Sequence, residues 1–184
     1  MGNRGKREVE VLVEEQQTDL PLDLSRVAPL VAKVLEEEGT VVDEVSVRFV
    51  GLDEICELHD RFFGDPSPTD CISFPIDEEE DGDFRLLGEV VVCPRAALLY
   101  TGDEGGEPYE ECSLYIVHGL LHLLGYDDSS EKDLLEMRER EAQIMGRLRA
   151  EELLLQPPPP PPIGHCDHEG SDSIHPGGGS KRSC

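Results

Sequence analysis

Two histidines four residues apart are the side chains best suited to chemistry in this chain. His118 and His122 lie in a strongly apolar stretch, and Gly125 follows three residues later. Residues i and i+4 of a helix project from the same face, so both imidazoles can contact one ion. Gly125 can adopt the left-handed conformation that ends a helix and turns the chain back. Asp128, three residues further on, completes the His-x-x-x-His-x-x-Gly-x-x-ligand spacing of metzincin sites, which predicts a third metal ligand.

These three donors predict a catalytic metal site. Three protein ligands with an open position for water are typical of catalytic zinc, whereas structural zinc has four protein ligands. We predict one Zn²⁺ ion, or another divalent metal, bound by His118, His122 and Asp128. Gly119 occupies the position where H-E-x-x-H peptidases carry their general base, so the motif lacks a base for peptide hydrolysis. The alternative interpretation is a pair of core histidines that bind no metal.

Asp128 has a second interpretation. The segment Asp128-Ser129-Ser130-Glu131 has the spacing of a capping box, so Asp128 could cap the last helix instead of binding a metal. We favour the ligand because of the glycine-turn spacing, and Asp127 is the substitute candidate.

The hydrophobic pattern predicts the elements that position these residues. Alternating apolar residues predict strands at residues 8–15 and 44–50, and two apolar runs separated by a polar loop at 77–83 predict a strand pair at 71–76 and 87–93. Helices are predicted at residues 21–38, 52–62, from Pro94 onward, at 108–124 and at 130–155.

Charge and composition limit the classes of function. The chain has 41 acidic and 16 basic residues and a formal net charge of −25, so any RNA contact is expected to be local and to need a partner. No run is long enough to cross a bilayer, and the acidic residues after the basic N-terminus are not a signal-peptide core, which predicts a cytoplasmic protein. The six cysteines form no C-x-x-C pair and are predicted to be reduced and mostly buried.

The composition changes near the C-terminus. Six consecutive prolines, followed by glycine, serine and scattered polar residues, cannot build a core. We therefore predict a single metal-hydrolase domain at residues 1–155 and a disordered tail at residues 156–184. The tail contains His165, His168 and His175, to which we assign no catalytic role.

Three blocks of the sequence resemble the YbeY family of bacterial endoribonucleases. The run HGLLHLLGYDD at residues 118–128 resembles the family signature HGxxHLxGYDH. The run PTDCISFP at residues 68–75 resembles its PTDVLSFP block, and LGEVVV at residues 87–92 is similar to its LGDI strand. The blocks occur in the family's order and spacing, and the resemblance covers about residues 9–150.

This resemblance implies a fold and a function. The implied fold is α+β, with a small mixed sheet of about four strands under a zincin-like metal helix. The implied activity is that of a metal-dependent, single-strand-specific endoribonuclease that matures rRNA, especially the 16S 3′ end, and takes part in ribosome quality control. The implied partners are rRNA and the small ribosomal subunit, with a ribosomal protein or a GTPase. The alternatives are a zincin-like hydrolase of peptides or small substrates and a non-catalytic, ribosome-associated metal protein.

The chain departs from the family pattern at two positions. The family's third ligand is histidine, and the carboxylate of Asp128 adds a negative charge that favours harder metals. The family usually has Tyr-Arg-Gly before the PTD block, where this chain has Phe62-Phe63-Gly64. Phe63 therefore replaces the arginine expected to hold phosphate, and Arg61 would have to reach from another face of its helix. We predict that Phe62 and Phe63 are core residues.

Several polar residues near these blocks are further candidates. Asp70 is predicted to orient a ligand histidine or carry a proton, with turn chemistry as the equal alternative. Ser73 is expected either close to the site or as a buried hydroxyl that bonds backbone. Arg61, Arg85 and Arg95 are candidates for phosphate contact, with exposed charge as the alternative for Arg85 and Arg95.

Overall fold

A four-stranded mixed sheet lies at the centre of the fold. The computed structural model describes residues 8–76 and 84–161, and within them the strands are β1 (Glu10–Gln16), β2 (Glu44–Val50), β3 (Cys71–Pro75) and β4 (Leu86–Val92). Their order is β1-β2-β4-β3, in which β1, β2 and β4 run parallel and β3 is antiparallel to β4. The predicted α+β class, with about four strands and a β3–β4 pair, is confirmed.

Five α-helices cover this sheet within the described residues. They are α1 (Val27–Glu37), α2 (Leu52–Phe63), α3 (Pro94–Glu104), α4 (Pro108–Leu123) and α5 (Glu131–Ala150), and a 3-10 turn at Leu24–Arg26 precedes α1. Pro94 and Pro108 lie in the first turns of α3 and α4, where the missing N–H would have no helical partner in any case. None of the described helices combines the length and the apolar character needed to cross a bilayer.

Two helices are shorter than the hydrophobic pattern predicts. An earlier start is predicted for α1, which begins at Val27 because Asp23 caps a separate 3-10 turn. The last helix is predicted to reach residue 155, but α5 ends at Ala150 because Glu152 adopts a left-handed φ of 57° that turns the chain. Apolar residues on the far side of each turn are still buried, so the hydrophobic pattern continues past the helix ends.

The two faces of the sheet belong to different hydrophobic clusters. Phe49 of β2 and Val90 of β4 pack in the main core, together with buried residues of α1, α4 and α5. Val50 and Val91 face the other way and pack with Ile55 of α2 in a smaller core. Because side chains alternate along a strand, β2 and β4 contribute to both clusters. The predicted histidine helix, α4, therefore lies on the main-core face, against β3 and β4.

The four cysteines of the described residues are unpaired, as predicted, but only two of the four are buried. Cys56, Cys71, Cys93 and Cys112 are free thiols, and Cys93 and Cys112 are buried. Burial raises the pKa of Cys112 above its ordinary value, which keeps the thiol protonated.

Two predicted segments fall largely or wholly outside the described residues. The polar loop at residues 77–83 lies outside them, and so does most of the tail predicted at residues 156–184. The prolines at residues 157–161 are described and exposed. The division into a domain at residues 1–155 and a tail stays a prediction.

Helix α4 approaches the sheet closely at Gly119. A Cβ placed on Gly119 would lie 2.4 Å from Cγ1 of Val90 and 3.2 Å from Oγ of Ser73. The Ser73 hydroxyl donates a hydrogen bond to the carbonyl of Gly119 at 2.9 Å. A contact this short requires movement of the helix or the strand. The absence of a side chain at Gly119 therefore lets the helix that carries both histidines lie directly on β3 and β4.

We expect Gly119→Ala to destabilise the fold, because the added methyl group overpacks this contact. The free energy of unfolding, measured by denaturant titration, should fall by about 1–3 kcal/mol. Gly146→Ala is the matched control, since Gly146 is an exposed position in α5 and an added Cβ would meet no heavy atom within 4 Å. Alanine there should raise the free energy of unfolding by about 0.5–1 kcal/mol. Equal effects of the two substitutions would contradict the close-packing account.

Candidate metal centre

The end of α4 forms the turn that the sequence predicts. Gly125 adopts a left-handed φ of 96°, and its N–H donates to the carbonyl of His122 at 3.0 Å. The N–H of Tyr126 donates to the carbonyl of Leu121 at 3.0 Å, which completes a Schellman motif. The chain reverses at this turn and brings Asp128 back beside His122.

Three candidate ligand atoms converge beyond the turn. The Nε2 atoms of His118 and His122 are 3.0 Å apart, and Oδ2 of Asp128 lies 3.8 Å from Nε2 of His122. The three residues each offer one ligand atom, and these atoms all lie within 4.8 Å of one another. The structure thus brings together all three residues that the sequence analysis singles out as metal ligands.

Each imidazole is held by an acceptor at its other nitrogen. Nδ1 of His118 lies 2.6 Å from Oε1 of Glu141 on α5, and Nδ1 of His122 lies 3.1 Å from the carbonyl oxygen of Tyr126. An ionised carboxylate and a carbonyl can only accept hydrogen bonds, so both Nδ1 atoms are assigned as the protonated nitrogens. In neutral rings, each Nε2 then carries a lone pair, and these two nitrogens lie 3.0 Å apart.

This arrangement fits a divalent cation. Two lone pairs 3.0 Å apart repel each other, and a cation that binds both removes that repulsion. Two nitrogens bound to tetrahedral zinc lie roughly 3.3 Å apart, which is close to the observed separation. The carboxylate of Asp128 supplies an oxygen donor that zinc also accepts. The core-histidine interpretation instead requires a proton between the two Nε2 atoms.

The electrostatic environment of the site favours positive charge. Burial lowers the pKa of His118, but the hydrogen bond and the charge of Glu141 outweigh it, with further contributions from the charges of Asp70 and Asp128. The net result is a pKa above the ordinary value for histidine. The same negative potential stabilises a bound cation.

The residues next to Asp128 have structural roles. The carboxylate of Asp127 accepts hydrogen bonds from the N–H groups of Asp128 at 2.8 Å and Ser129 at 3.2 Å. Ser130 is the N-cap of α5, and its Oγ accepts a hydrogen bond from the N–H of Asp133 at 3.2 Å. The capping interpretation of Asp128 is therefore wrong. Asp127, the substitute ligand candidate, is occupied in stabilising the turn.

A second set of contacts connects this turn to α1 and α5. The hydroxyl of Tyr126 donates to Oε2 of Glu38 at 3.1 Å, and Arg140 of α5 donates to the other oxygen of the same carboxylate. Arg140 also donates to the carbonyl of Glu37 at 2.6 Å. Because Tyr126 supplies the carbonyl that contacts His122, these contacts fix the position of the second imidazole.

The three candidate ligands line a cavity of about 640 Å³, whose wall also includes Asp70 and Ser73. Asp70 accepts a hydrogen bond at 2.7 Å from the N–H of Cys71, and its charge raises the pKa of His118. The carboxylate that hydrogen-bonds a ring of the histidine pair is Glu141. Ser73 meets both of its predicted alternatives, since it lines the cavity and bonds the backbone of Gly119.

The arginines predicted to contact phosphate lie away from the cavity wall. The guanidinium carbon of Arg61 lies 5.6 Å from the ring centroid of Phe62. Nη1 of Arg85 donates a hydrogen bond to the carbonyl of Val41 at 2.9 Å. Nη1 of Arg95 lies 3.9 Å from Oδ1 of Asp19. Their contact with RNA stays a prediction.

Phe62 and Phe63 are exposed, so their prediction as core residues is wrong. Their exposed fractions are 55% and 62%. Helix α2 buries Ile55 against the sheet, whereas its last turn lies outside that buried cluster. Apolar residue type alone therefore misplaces both rings, and Phe63 instead lines the cavity beside the candidate ligands.

Together, the mixed sheet, the histidine helix and the converging donors define a small α+β protein with a site of the kind that metal-dependent hydrolases carry. The family model described as Endoribonuclease YbeY matches residues 12–149. The endoribonuclease YbeY of Protochlamydia amoebophila is 46% identical over 138 residues, which span 75% of this chain and 92% of that protein. The endoribonuclease YbeY of Chlamydia pneumoniae is 38% identical over 153 residues, which span 81% of this chain and 97% of that protein. The chain belongs to the endoribonuclease YbeY family.

A solved structure supports the same fold. The solution structure of a protein from Thermotoga maritima superposes with a TM-score of 0.51 and 26% sequence identity, and the match covers 78% of this chain and 94% of that one. The predicted family and the predicted class of enzyme, an endoribonuclease, are confirmed by the family and sequence matches.

Glu141 contacts His118 but is not among the site residues predicted from the sequence. It lies 23 residues after His118, in a helix with many charged residues. One signal is present in the sequence: Glu141 follows Met137 by four residues and precedes Ile144 by three, and both of these are buried. A carboxylate on the apolar face of a helix requires a partner, and here that partner is His118.

We expect Glu141→Gln to weaken metal binding, because an amide orients the His118 ring less strongly than a carboxylate does. Loss of such a supporting contact typically lowers metal affinity by about 10- to 100-fold, and a competition titration with a chromophoric chelator measures it. Glu139→Gln is the control, since Glu139 is an exposed residue of the same helix and should leave affinity unchanged. If both variants bind metal as tightly as the unaltered protein, Glu141 does not support the site.

Proposed function

We propose that this protein hydrolyses phosphodiester bonds of single-stranded RNA in a metal-dependent reaction, and that it acts in rRNA maturation and ribosome quality control. The proposed substrate is rRNA of the small ribosomal subunit near its 3′ end. The observation that carries the proposal is the convergence of His118, His122 and Asp128 at one edge of an open cavity, in a chain of an endoribonuclease family.

The proposed ligand set assigns a task to each of the three donors. His118 and His122 bind one Zn²⁺ through Nε2, and Asp128 binds it through a carboxylate oxygen. When bound, the ion would supply Lewis acidity for activating water and for neutralising charge at the phosphoryl group. Glu141 and the carbonyl of Tyr126 keep the two rings oriented with Nε2 toward the ion. Because a carboxylate favours harder ions than a third imidazole would, another divalent metal is the second candidate.

Asp70 is the proposed proton carrier. It lines the same cavity as the three ligands without belonging to their cluster. A carboxylate on the wall of this cavity can accept a proton from the attacking water and deliver one to the leaving oxygen. Arg61 and Arg85 are proposed to contact phosphates at the margins of the bound strand.

The high negative charge supports a proposal about partners. A net charge of −25 repels RNA at long range, so the protein is proposed to meet its substrate on the small ribosomal subunit, through a ribosomal protein or a GTPase. We therefore propose that the protein acts in the cytoplasm. Residues 1–155 are proposed to form the catalytic unit, and the tail at 156–184 is proposed to have no catalytic role.

The glycine at position 119 argues against a peptidase function. The general base of an H-E-x-x-H peptidase would stand at this position. Any residue other than glycine at this position would place its Cβ 2.4 Å from Cγ1 of Val90. The close packing of α4 on β4 is therefore incompatible with that mechanism.

We expect His118→Ala to lose both metal content and RNA cleavage. The purified full chain should hold about one divalent ion, measured by elemental analysis. It should cleave a single-stranded fragment from the 3′ end of small-subunit rRNA, and a chelator should stop cleavage. The variant lacks one of the two nitrogen donors and should stay folded, which circular dichroism checks. The triple variant His165→Ala, His168→Ala and His175→Ala is the control and should keep both properties.

The other outcomes identify the competing functions. Metal retained at full occupancy in His118→Ala would contradict the ligand assignment. Cleavage of peptides without cleavage of RNA would favour a zincin-like hydrolase. Tightly bound metal without cleavage of either substrate would favour a non-catalytic, ribosome-associated protein.

A further inference from the structure

An exposed aromatic ring lies on the wall of the cavity that holds the candidate ligands. Phe63 is 62% exposed and lines this cavity, and His59, one turn earlier on α2, lines it as well. Their ring centroids are 5.5 Å apart and their planes are inclined by 51°. We refer to Phe63 and His59 as the aromatic wall.

Local hydrogen bonds fix the position of this wall. Helix α2 ends at Gly64, which adopts a left-handed φ of 71° and donates its N–H to the carbonyl of Asp60 at 2.8 Å. Nδ1 of His59 lies 2.9 Å from the carbonyl oxygen of Ser67, so the loop after α2 folds back on the helix. The end of α2 that carries Phe63 and the ring of His59 are therefore held in place before any ligand binds.

The neighbouring ring of Phe62 has a different environment. Its centroid lies 4.7 Å from that of Phe74 on β3, with an edge-to-face angle of 63°. Phe62 thus packs on the sheet, whereas Phe63 is directed to the cavity. Of these two adjacent phenylalanines, only Phe63 lines the cavity with the candidate ligands.

The charge of the cavity selects what Phe63 can contact. The wall includes the carboxylates of Asp70 and Asp128, and no lysine or arginine of the described residues lines it. A phosphate placed directly against Phe63 would find no lysine or arginine among these lining residues to pair with, whereas a neutral, flat nucleobase needs none. Aromatic side chains stack on bases of single strands with little dependence on sequence. Base stacking on Phe63 would therefore supply attraction that the acidic lining lacks.

We propose that Phe63 stacks on an unpaired nucleobase next to the bond that is cleaved. The ring of His59 supports the ring of Phe63 from the side. The inference rests on the proposed function, because it takes single-stranded RNA as the substrate. A base inside a duplex is covered on both faces and cannot insert against Phe63. The aromatic wall is thus a determinant of single-strand specificity as well as of affinity.

The test uses single-stranded RNA in which one nucleotide at a time lacks its base. The unaltered, metal-loaded protein should lose roughly 5- to 100-fold in cleavage efficiency when the missing base is the stacked one. Phe63→Leu should show a similar loss on the intact strand and no further loss on the abasic one. Phe63→Trp should keep the stacking and the sensitivity to the missing base. Phe84→Leu, which removes a ring that is 59% exposed and does not line the cavity, should behave like the unaltered protein.

Two results would overturn the proposal. One is a Phe63→Leu variant that cleaves the intact strand as efficiently as the unaltered protein. The other is a Phe63→Leu variant that stays sensitive to the same missing base.

A binding measurement separates this proposal from the proposed function. In a strand that carries 2-aminopurine at the sensitive position, or at successive positions if nothing is cleaved, the unaltered protein should quench the fluorescence on binding and the Phe63→Leu variant should not. Quenching without cleavage would support the aromatic wall and contradict the endoribonuclease reaction. Cleavage without quenching or abasic sensitivity would support the reaction and contradict the aromatic wall.

Discussion

The close approach of two imidazole nitrogens, held 3.0 Å apart at the end of α4, is the constraint on which the site depends. Neither ring relaxes independently, because Glu141 holds His118 and the carbonyl of Tyr126 holds His122. Two lone pairs at this distance repel each other unless a proton or a metal ion lies between them. Packing of the surrounding elements supplies the free energy that keeps the rings together, so folding itself brings the candidate ligands together.

The elements around the site are arranged so that the two imidazoles and Asp128 lie close together. Gly119 lets α4 lie on β4, and Gly125 reverses the chain so that Asp128 meets the histidines. Helix α5 then crosses back and contributes neighbouring residues to both rings: Glu141 contacts His118 directly, and Arg140 acts on His122 through Glu38 and Tyr126. The orientation of the three candidate ligands is consequently a property of how α1, α4 and α5 pack, and it depends on residues beyond the donors themselves.

Local spacing predicts some of these features and not others. The histidine pair and Gly125 are predictable because helix geometry fixes which residues share a face. The two interpretations of Asp128 rest on the same few residues, and only the structure, in which Ser130 caps α5, separates them. Glu141 depends on how two helices dock, which local spacing does not specify. Phe63 is apolar, yet its position relative to the edge of a hydrophobic cluster decides its exposure.

The central claim is that one metal ion binds where the three donors converge. Anomalous diffraction at the zinc edge, from crystals of the zinc-loaded full chain, tests it most directly. The account predicts one peak roughly 2.0–2.2 Å from Nε2 of His118, Nε2 of His122 and a carboxylate oxygen of Asp128. A peak bound elsewhere, or no peak between the two imidazoles, would contradict it.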